Sequence, residues 1–564
     1  GYGGAVATVD ATATAVALDV LRRGGNAVDA AVAAAATLGV TEPFSAGIGG
    51  GGFLLHYDGR TGRVSTIDGR ETAPASMRRD SFVDPVTGQP YAFPEARVSG
   101  LSVGVPGTPA TWREALRRWG SRPLATLLRP AAEVAERGFV VDATFHAQAA
   151  DNAAVFAQFA PTARLYLPGG QPPAVGSVLR NPDLAATYRQ LARHGVDAFY
   201  RGPIARDIAA TVQRPPRAPD PGAPWAHPIR PGGLTVADLA GYRVRTPAPT
   251  RSDFRGLAVY GMPAPSSGGI AVGEALNILE RFDLAGADRA TVLHHYLEAS
   301  ALAFADRNRY VGDGTPRSLS RELLRDRYAA RRACLVRPDR ALAKPVAPGV
   351  PGDRTRPCAV AGAGGSPVQG HSTTNLTVAD RWGSVVEYTL TLEQTGGNGM
   401  VVPGRGFLLN NELTDFNFVP TQGDAPDPNL PAPGKRPRSS ISPTIVLRDG
   451  RPFLALGTPG GSTIITTVLQ ILVHRLLLGE SLPAALAAPR ASQRNTAAVT
   501  AEPAFLAGPD AAALAALGHG FTATPEIGAA TAIEFGPGGR LLAVAEPTRR
   551  GGGAAAVLRP RGYP

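Results

Sequence analysis

The sequence predicts an α+β protein whose helices cover antiparallel sheets. Three observations predict it. The first two-thirds of the chain carries mostly helical periodicity with scattered strand pieces, and from Thr373 onward the pattern changes to β-hairpins. The chain has 564 residues, 44% of them hydrophobic, and a mass of 58.3 kDa, enough to bury a large core and form more than one lobe. Helices together with antiparallel sheets argue for a layered arrangement, α+β or αββα.

The elements follow in order. "GGAVATVD" is strand-like, and a signal peptide is not read in this chain. "DATATAVALDVLRRGGNAVDAAVAAAATLGV" predicts two Ala-rich helices, the first closed by Gly24 and Gly25. Further helices are expected over Pro109 to Trp119, Leu124 to Arg137, Asn181 to His194 and Val292 to Tyr310. Hairpins are expected in "TTNLTVADRWGSVVEYTLTL", in "PTIVLRDGRPFLAL" around Asp449-Gly450, and in "AIEFGPGGRLLAVAEP", with one long helix, "STIITTVLQILVHRLLLG", among them. Pro-rich stretches at Arg214 to Gly233 and Pro345 to Ser372 predict a surface insertion and a flexible lead-in to the first hairpin. No internal repeat is found.

Composition narrows the function classes. The formal charge is +11, but the basic residues are nearly all arginine, with Lys344 and Lys435 the lysines, and they are scattered rather than gathered in a stripe. That spread argues against nucleic acid and fits a basic envelope attracting acidic small molecules. No apolar run reaches the roughly 18 residues of a membrane span. Cys334 and Cys358 flank the lead-in. Either they are free thiols, or they form a bridge worth roughly 3 kcal/mol in an oxidising compartment.

Most catalytic motifs are absent. "GIGGGG", Gly47 to Gly52, matches a dinucleotide fingerprint formally, but a helix precedes it and a strand follows, the reverse of what a dinucleotide needs. A turn for close backbone packing is the better reading. There is no GxSxG elbow, no Walker loop, no HExxH, and the histidines have no metal-ligand spacing with the cysteines. What remains is "GHSTTNLTVAD", a threonine pair at the border between lead-in and strand. A threonine hydroxyl needs a base to act as a nucleophile. If the chain were cut before it, its own α-amine, with a pKa of about 7.7 to 8.0, would supply one. Read alone, the pair is better explained by ordinary β-propensity.

Read together, "VDATATAVALDVLRRGGNAVDAAVA", "GIGGGGFLL", "DGRETAPA", "MPAPSSGGI", "STTNLTVAD", "GFLLNNELTDFN", "KRPRSSISPTIV" and "GTPGGSTIITTVLQ" resemble, in order, the signature stretches of the gamma-glutamyltranspeptidase family. The resemblance runs from about Val6 to about Val557. It implies a self-cleaving precursor of the N-terminal nucleophile hydrolase type, a four-layer αββα sandwich built from both fragments. The implied large subunit is residues 1–372, mainly helical with its lead-in at 345–372, and the hairpin-rich small subunit is 373–564. The two would stay together as a heterodimer.

The resemblance also implies roles. Thr373 would attack the Ser372 carbonyl, free itself, and become the nucleophile, while Thr391 would orient its hydroxyl. Gly460 and Gly461, ahead of a helix, would form the oxyanion hole. Arg70 would bind a substrate α-carboxylate with Ser439 and Ser440, and Glu412 and Asp415 an α-ammonium. His371 is not needed as a base. Two departures stand out: Glu393 replaces an amine-binding asparagine found in many members, and the loop Phe416 to Gly434 lacks the lid tyrosine of some members. The implied activity is γ-glutamyl transfer from glutathione or a related amide to water or an amino acid or peptide, with no metal or organic cofactor. The same fold with another amide substrate (cephalosporin acylase-like, poly-γ-glutamate-processing or biosynthetic) and a noncatalytic basic surface-binding protein are the alternatives. Location is expected to be secreted, periplasmic or at the cell surface.

Overall fold

The computed structural model describes residues 1–353, 358, 360–362 and 372–559. Most of the second half of the lead-in, His371 included, lies outside them. The strands that matter are β1 (Tyr2–Thr8), β2 (Gly51–Asp58), β3 (Arg63–Gly69), β4 (Thr250–Phe254), β5 (Leu257–Gly261), β6 (Ser372–Asp380) and β7 (Val385–Glu393). They continue with β8 (Thr444–Arg448), β9 (Arg451–Gly457), β10 (Thr531–Phe535), β11 (Leu541–Ala545) and β12 (Ala554–Arg559). The covering helices are α1 (Ala11–Arg22), α2 (Ala27–Thr41), α3 (Leu124–Arg137), α4 (Gly268–Leu279), α5 (Arg289–Tyr310) and α6 (Thr463–Leu476).

Two six-stranded sheets stack face to face, in the orders β12-β1-β6-β7-β2-β3 and β11-β10-β9-β8-β5-β4. Every pairing within them is antiparallel. Alternation along each strand sorts its side chains between two faces. Val6, Leu54, Leu376, Val378 and Leu390 pack outward into one core with α1, α2 and α3. Val259, Val446, Leu454 and Leu456 pack outward into another with α4, α5 and α6. Phe53, Leu55, Val385, Ile445 and Ala455 fill the space between the sheets. The result is the expected αββα sandwich.

Local chemistry places the helices. Asp10 caps α1 by accepting from the Ala13 N–H at 2.7 Å, and Asn26 and Asp29 form a reciprocal capping box at the start of α2. All of α2 is buried, which its alanines allow because a small side chain lets the helix lie close to the sheet. The predicted helices appear at Thr108–Trp119, Leu124–Arg137, Pro182–His194 and Arg289–Tyr310. Strands from both sides of the Ser372–Thr373 bond alternate in the sheets: β1, from the start of the chain, lies between β6 and β12.

The glycine run Gly47 to Gly52 is a packing turn. A Cβ on Gly49 would lie 1.9 Å from the Leu408 carbonyl oxygen, and one on Gly50 would lie 2.1 Å from the Thr391 carbonyl oxygen. Only hydrogen fits there. Cys334 and Cys358 are joined in a disulfide, with Cα atoms 5.8 Å apart. The stretch Arg214 to Gly233 is loop at the surface, held partly by Arg230 on Glu95 at 2.8 Å.

Candidate active site

The β6–β7 hairpin builds the centre of the site. Ser372 pairs with Glu393 and Thr374 with Leu390, so β7 has one extra residue opposite Thr373. Such a bulge re-aims the side chains beside it. Here it leaves Glu393 with φ of 82°, a left-handed backbone that a glutamate rarely adopts. Alternation separates the threonine pair: Thr374 shares the helix-facing parity of Leu376 and Val378, whereas Thr373 lines a cleft at the end of the inter-sheet space.

In the continuous chain, the Thr373 hydroxyl lies 2.5 Å from the Ser372 carbonyl oxygen and 3.4 Å from Thr391 Oγ1. Thr391 donates its own hydrogen to the Ser372 oxygen at 2.7 Å and accepts from the Glu393 N–H at 2.9 Å. A hydroxyl donor on the carbonyl that Thr373 would attack favours the negative charge developing there. Arg550 closes the other side: Nη1 donates to the Thr373 carbonyl at 2.6 Å and Nη2 to Ser45 Oγ at 2.9 Å. Ser45 Oγ lies 2.9 Å from Ser372 Oγ, so both residues of the Ser372–Thr373 bond are held.

The cleft gathers Arg70, Thr373, Thr391, Glu393, Glu412, Asp415, Ser439, Ser440 and Gly461. All of these were expected from the sequence. Gly460, next to Gly461, lines a neighbouring cavity, and φ values of 139° and 58° turn the chain sharply at this pair.

Arg70 and the two acids are in contact: Arg70 Nη1 pairs with Glu412 and Nη2 with Asp415 at 2.5 Å. Its remaining donors reach the Pro437 carbonyl at 3.0 Å and the Arg438 carbonyl at 2.9 Å. The guanidinium is therefore held by the chain's own carboxylates. The serine hydroxyls are engaged too, Ser439 accepting from the Ile441 N–H at 3.1 Å and Ser440 from Arg307 Nη2 at 2.7 Å.

The cluster is rich in acid. Burial, followed by the charges of Asp415 and Glu412, pushes the Glu393 carboxyl well above the usual carboxylate range. Burial, opposed by Arg70 and reinforced by Asp415, raises Glu412 to about 7. Asp415 is raised as well, again by burial. Asn411 donates to Glu393 Oε2 at 2.5 Å and holds it toward the others.

Sequence reasoning missed Glu71, Arg307 and Arg550. Glu71 follows Arg70 and is fully buried; burial, then the Glu412 charge, pushes its carboxyl well above the usual carboxylate range. Arg307 also donates to Ser267 Oγ at 2.9 Å, and burial with Arg438 beside it depresses its guanidinium. The one legible signal was the adjacency of Glu71 to Arg70. Arg307 lies in a helix and Arg550 near the chain end, with nothing local to mark them. The loop Phe416 to Gly434 is pinned by Asp427, which accepts from Asn417, Thr421 and Asn429 at 2.9 Å, and by Phe418 stacked on Phe82.

The family model for gamma-glutamyltranspeptidase matches residues 13–556. The chain belongs to this family. It is 39% identical to the glutathione hydrolase proenzyme of Bacillus subtilis over 87% of this chain and 80% of that one. It is 35% identical to the acylase ACY 1 proenzyme of a Pseudomonas species over 97% and 92%. The crystal structure of cephalosporin acylase from Bacillus halodurans superposes with a TM-score of 0.83 at 30% identity, covering 98% of this chain and 96% of that one. The gamma-glutamyltranspeptidase family member described here is thus an enzyme with the N-terminal nucleophile hydrolase fold.

Proposed function

We propose that this chain cuts itself between Ser372 and Thr373 and then hydrolyses or transfers γ-glutamyl groups from glutathione or related amides. The observation that carries the substrate is the acidic corner. Glu393, Glu412 and Asp415 line one cleft with Thr373, and a γ-glutamyl donor brings an α-ammonium to neutralise them. Arg70 exchanges partners on binding: its fork takes the substrate α-carboxylate while the acids it held turn to the ammonium. The Thr373 hydroxyl forms an acyl ester with release of the amine, and water or an acceptor amine breaks the ester. After cleavage the freed α-amine takes and returns the proton. Gly461 supplies a backbone N–H to the oxyanion from within the cleft.

The cut yields residues 1–372 and 373–564, a large and a small subunit held as a heterodimer by sheets to which both contribute. The Cys334–Cys358 bridge supports a location in an oxidising compartment, secreted, periplasmic or at the cell surface. No helix among the described residues is long and apolar enough to cross a membrane.

Intact mass under denaturing conditions tests the cleavage. Two fragments meeting at Ser372/Thr373 are expected from the parent and one uncut chain from Thr373→Ala; a parent that stays whole through long incubation overturns the reading. Similarity to the acylase ACY 1 proenzyme and to cephalosporin acylase keeps a second reading in view, the same nucleophile acting on a different amide donor. Turnover of a γ-glutamyl anilide against the glutaryl anilide, which lacks the ammonium, separates them. Preference for glutaryl places this chain with the acylases.

A further inference from the structure

The cleft has a neighbour on the far side of the glycine pair. Gly461 lines the cleft with the acids and Thr373, whereas Gly460 lines a second cavity together with Thr463, Arg494, Thr500, Glu526 and Arg550. Arg550 joins the two spaces, because it lines the second cavity and donates to the Thr373 carbonyl at 2.6 Å. The two cavities differ in charge: the first holds three acids and one guanidinium, Arg70, and the second two guanidinium groups and one acid, Glu526.

Arg494 is the informative side chain. It donates to Ser462 Oγ at 2.6 Å and to Thr500 Oγ1 at 3.1 Å, and its buried Nε has no hydrogen-bond partner. No carboxylate among the described residues lies within ion-pair distance of it, and burial depresses its guanidinium. Arg494 is half-buried, and a partly desolvated cation with no ion-pair partner is stabilised by a ligand anion. Arg550 has Glu42 nearby, but burial raises that carboxyl to about 8, so it is mostly protonated at neutral pH and leaves the cavity basic.

We propose that this second cavity is the subsite for the nitrogen side of the scissile amide, and for the acceptor amine that replaces it, and that Arg494 recognises a carboxylate on that half. The ligand class is an amino acid or short peptide with a free C-terminal carboxylate. The assignment rests on the amide-transfer reading above. It gives each half of the substrate its own cavity, acidic for the ammonium-bearing acyl half and basic for the carboxylate-bearing amine half, with the nucleophile and the glycine pair between them.

The test compares kcat/KM for γ-glutamylglycine and γ-glutamylglycinamide, which differ in the leaving-side carboxylate alone, alongside the corresponding glutaryl pair. The parent is expected to prefer the glycine form by roughly tenfold, the effect of a charge-assisted hydrogen bond. Arg494→Gln is expected to bring the ratio close to one, with Arg494→Lys between. Glu526→Gln, which removes the acid of the cavity, is expected to raise the ratio about twofold. Self-cleavage of each variant, read by denaturing mass, reports folding. A parent ratio near one overturns the subsite, as does a ratio unchanged in a self-cleaved Arg494→Gln. Should Arg494→Gln fail to fold, a ratio unmoved in Glu526→Gln overturns it. Turnover of the glutaryl pair without the γ-glutamyl pair overturns the donor assignment instead, and the glutaryl ratio then decides the subsite.

Discussion

In the proposed self-cleavage three atoms meet at the first step: Thr373 Oγ1, Thr391 Oγ1 and the Ser372 carbonyl oxygen. Thr391 donates to that oxygen at 2.7 Å while the Thr373 hydroxyl waits beside it. Removing one donor from an oxyanion commonly costs about 10²- to 10³-fold in rate. Thr391→Ala is therefore expected to slow self-cleavage by that order, and Thr391→Ser to keep most of it, measured as the half-time for appearance of the small fragment. Equal cleavage rates in all three proteins would remove Thr391 from the step. Glu393 works at the same scale, since its N–H donates to Thr391 Oγ1 at 2.9 Å while its carboxylate joins the acids. Its left-handed backbone suits asparagine better than glutamate, so the carboxylate is retained against a local conformational cost.

At the scale of elements, the hairpin is positioned by what lies against it. β2 pairs with β7 through Gly51 opposite Thr391, and Gly50 sits against the Thr391 carbonyl. Gly50→Ala would place a methyl 2.1 Å from that oxygen, on backbone that has no free end to move. The expected result is a loss of about 1 to 3 kcal/mol of stability, typical of overpacking, together with slower self-cleavage because Thr391 shifts. Denaturant midpoint and cleavage half-time read the two effects. A normal midpoint with normal cleavage would mean that the run is not a packing device. The same close approach explains why a glycine-rich string can follow a helix and open a strand without any nucleotide to bind.

At the scale of the molecule, the site concentrates three acids, Glu393, Glu412 and Asp415, around the Arg70 guanidinium. Glu412, raised to about 7 by burial, is largely protonated below that pH and must ionise to hold an ammonium. The affinity for L-glutamate, which binds without an acyl transfer, is expected to fall about tenfold per pH unit below 7 and to level off above it. Glu412→Gln should flatten that profile. The inhibition constant of L-glutamate across pH 5 to 8 checks both, and a flat parent profile would place the ammonium elsewhere. Because β1 lies between β6 and β12, the proposed fragments share a sheet and part only on unfolding.

Much of this was legible from local pattern. Alternation over 373–393 predicts the hairpin that places Thr373, and the alanine periodicity of 11–41 predicts the two helices that cover it, because strand and helix faces are set by spacing along the chain. Ordered motifs were enough to name Thr391, Arg70, Glu412, Asp415 and the serine pair. They were silent on how these residues meet. That Arg70 is held by Glu412 and Asp415, 342 and 345 positions away, that Arg550 reaches Thr373, and that Gly460 and Gly461 line different cavities are outcomes of two sheets stacking. Sequence by itself determined the layers and the nucleophile's strand, since these depend on neighbours a few residues apart. Tertiary structure alone decided the partners of the buried charges, since burial and Coulomb energy depend on distance in space and leave no periodic trace along the chain.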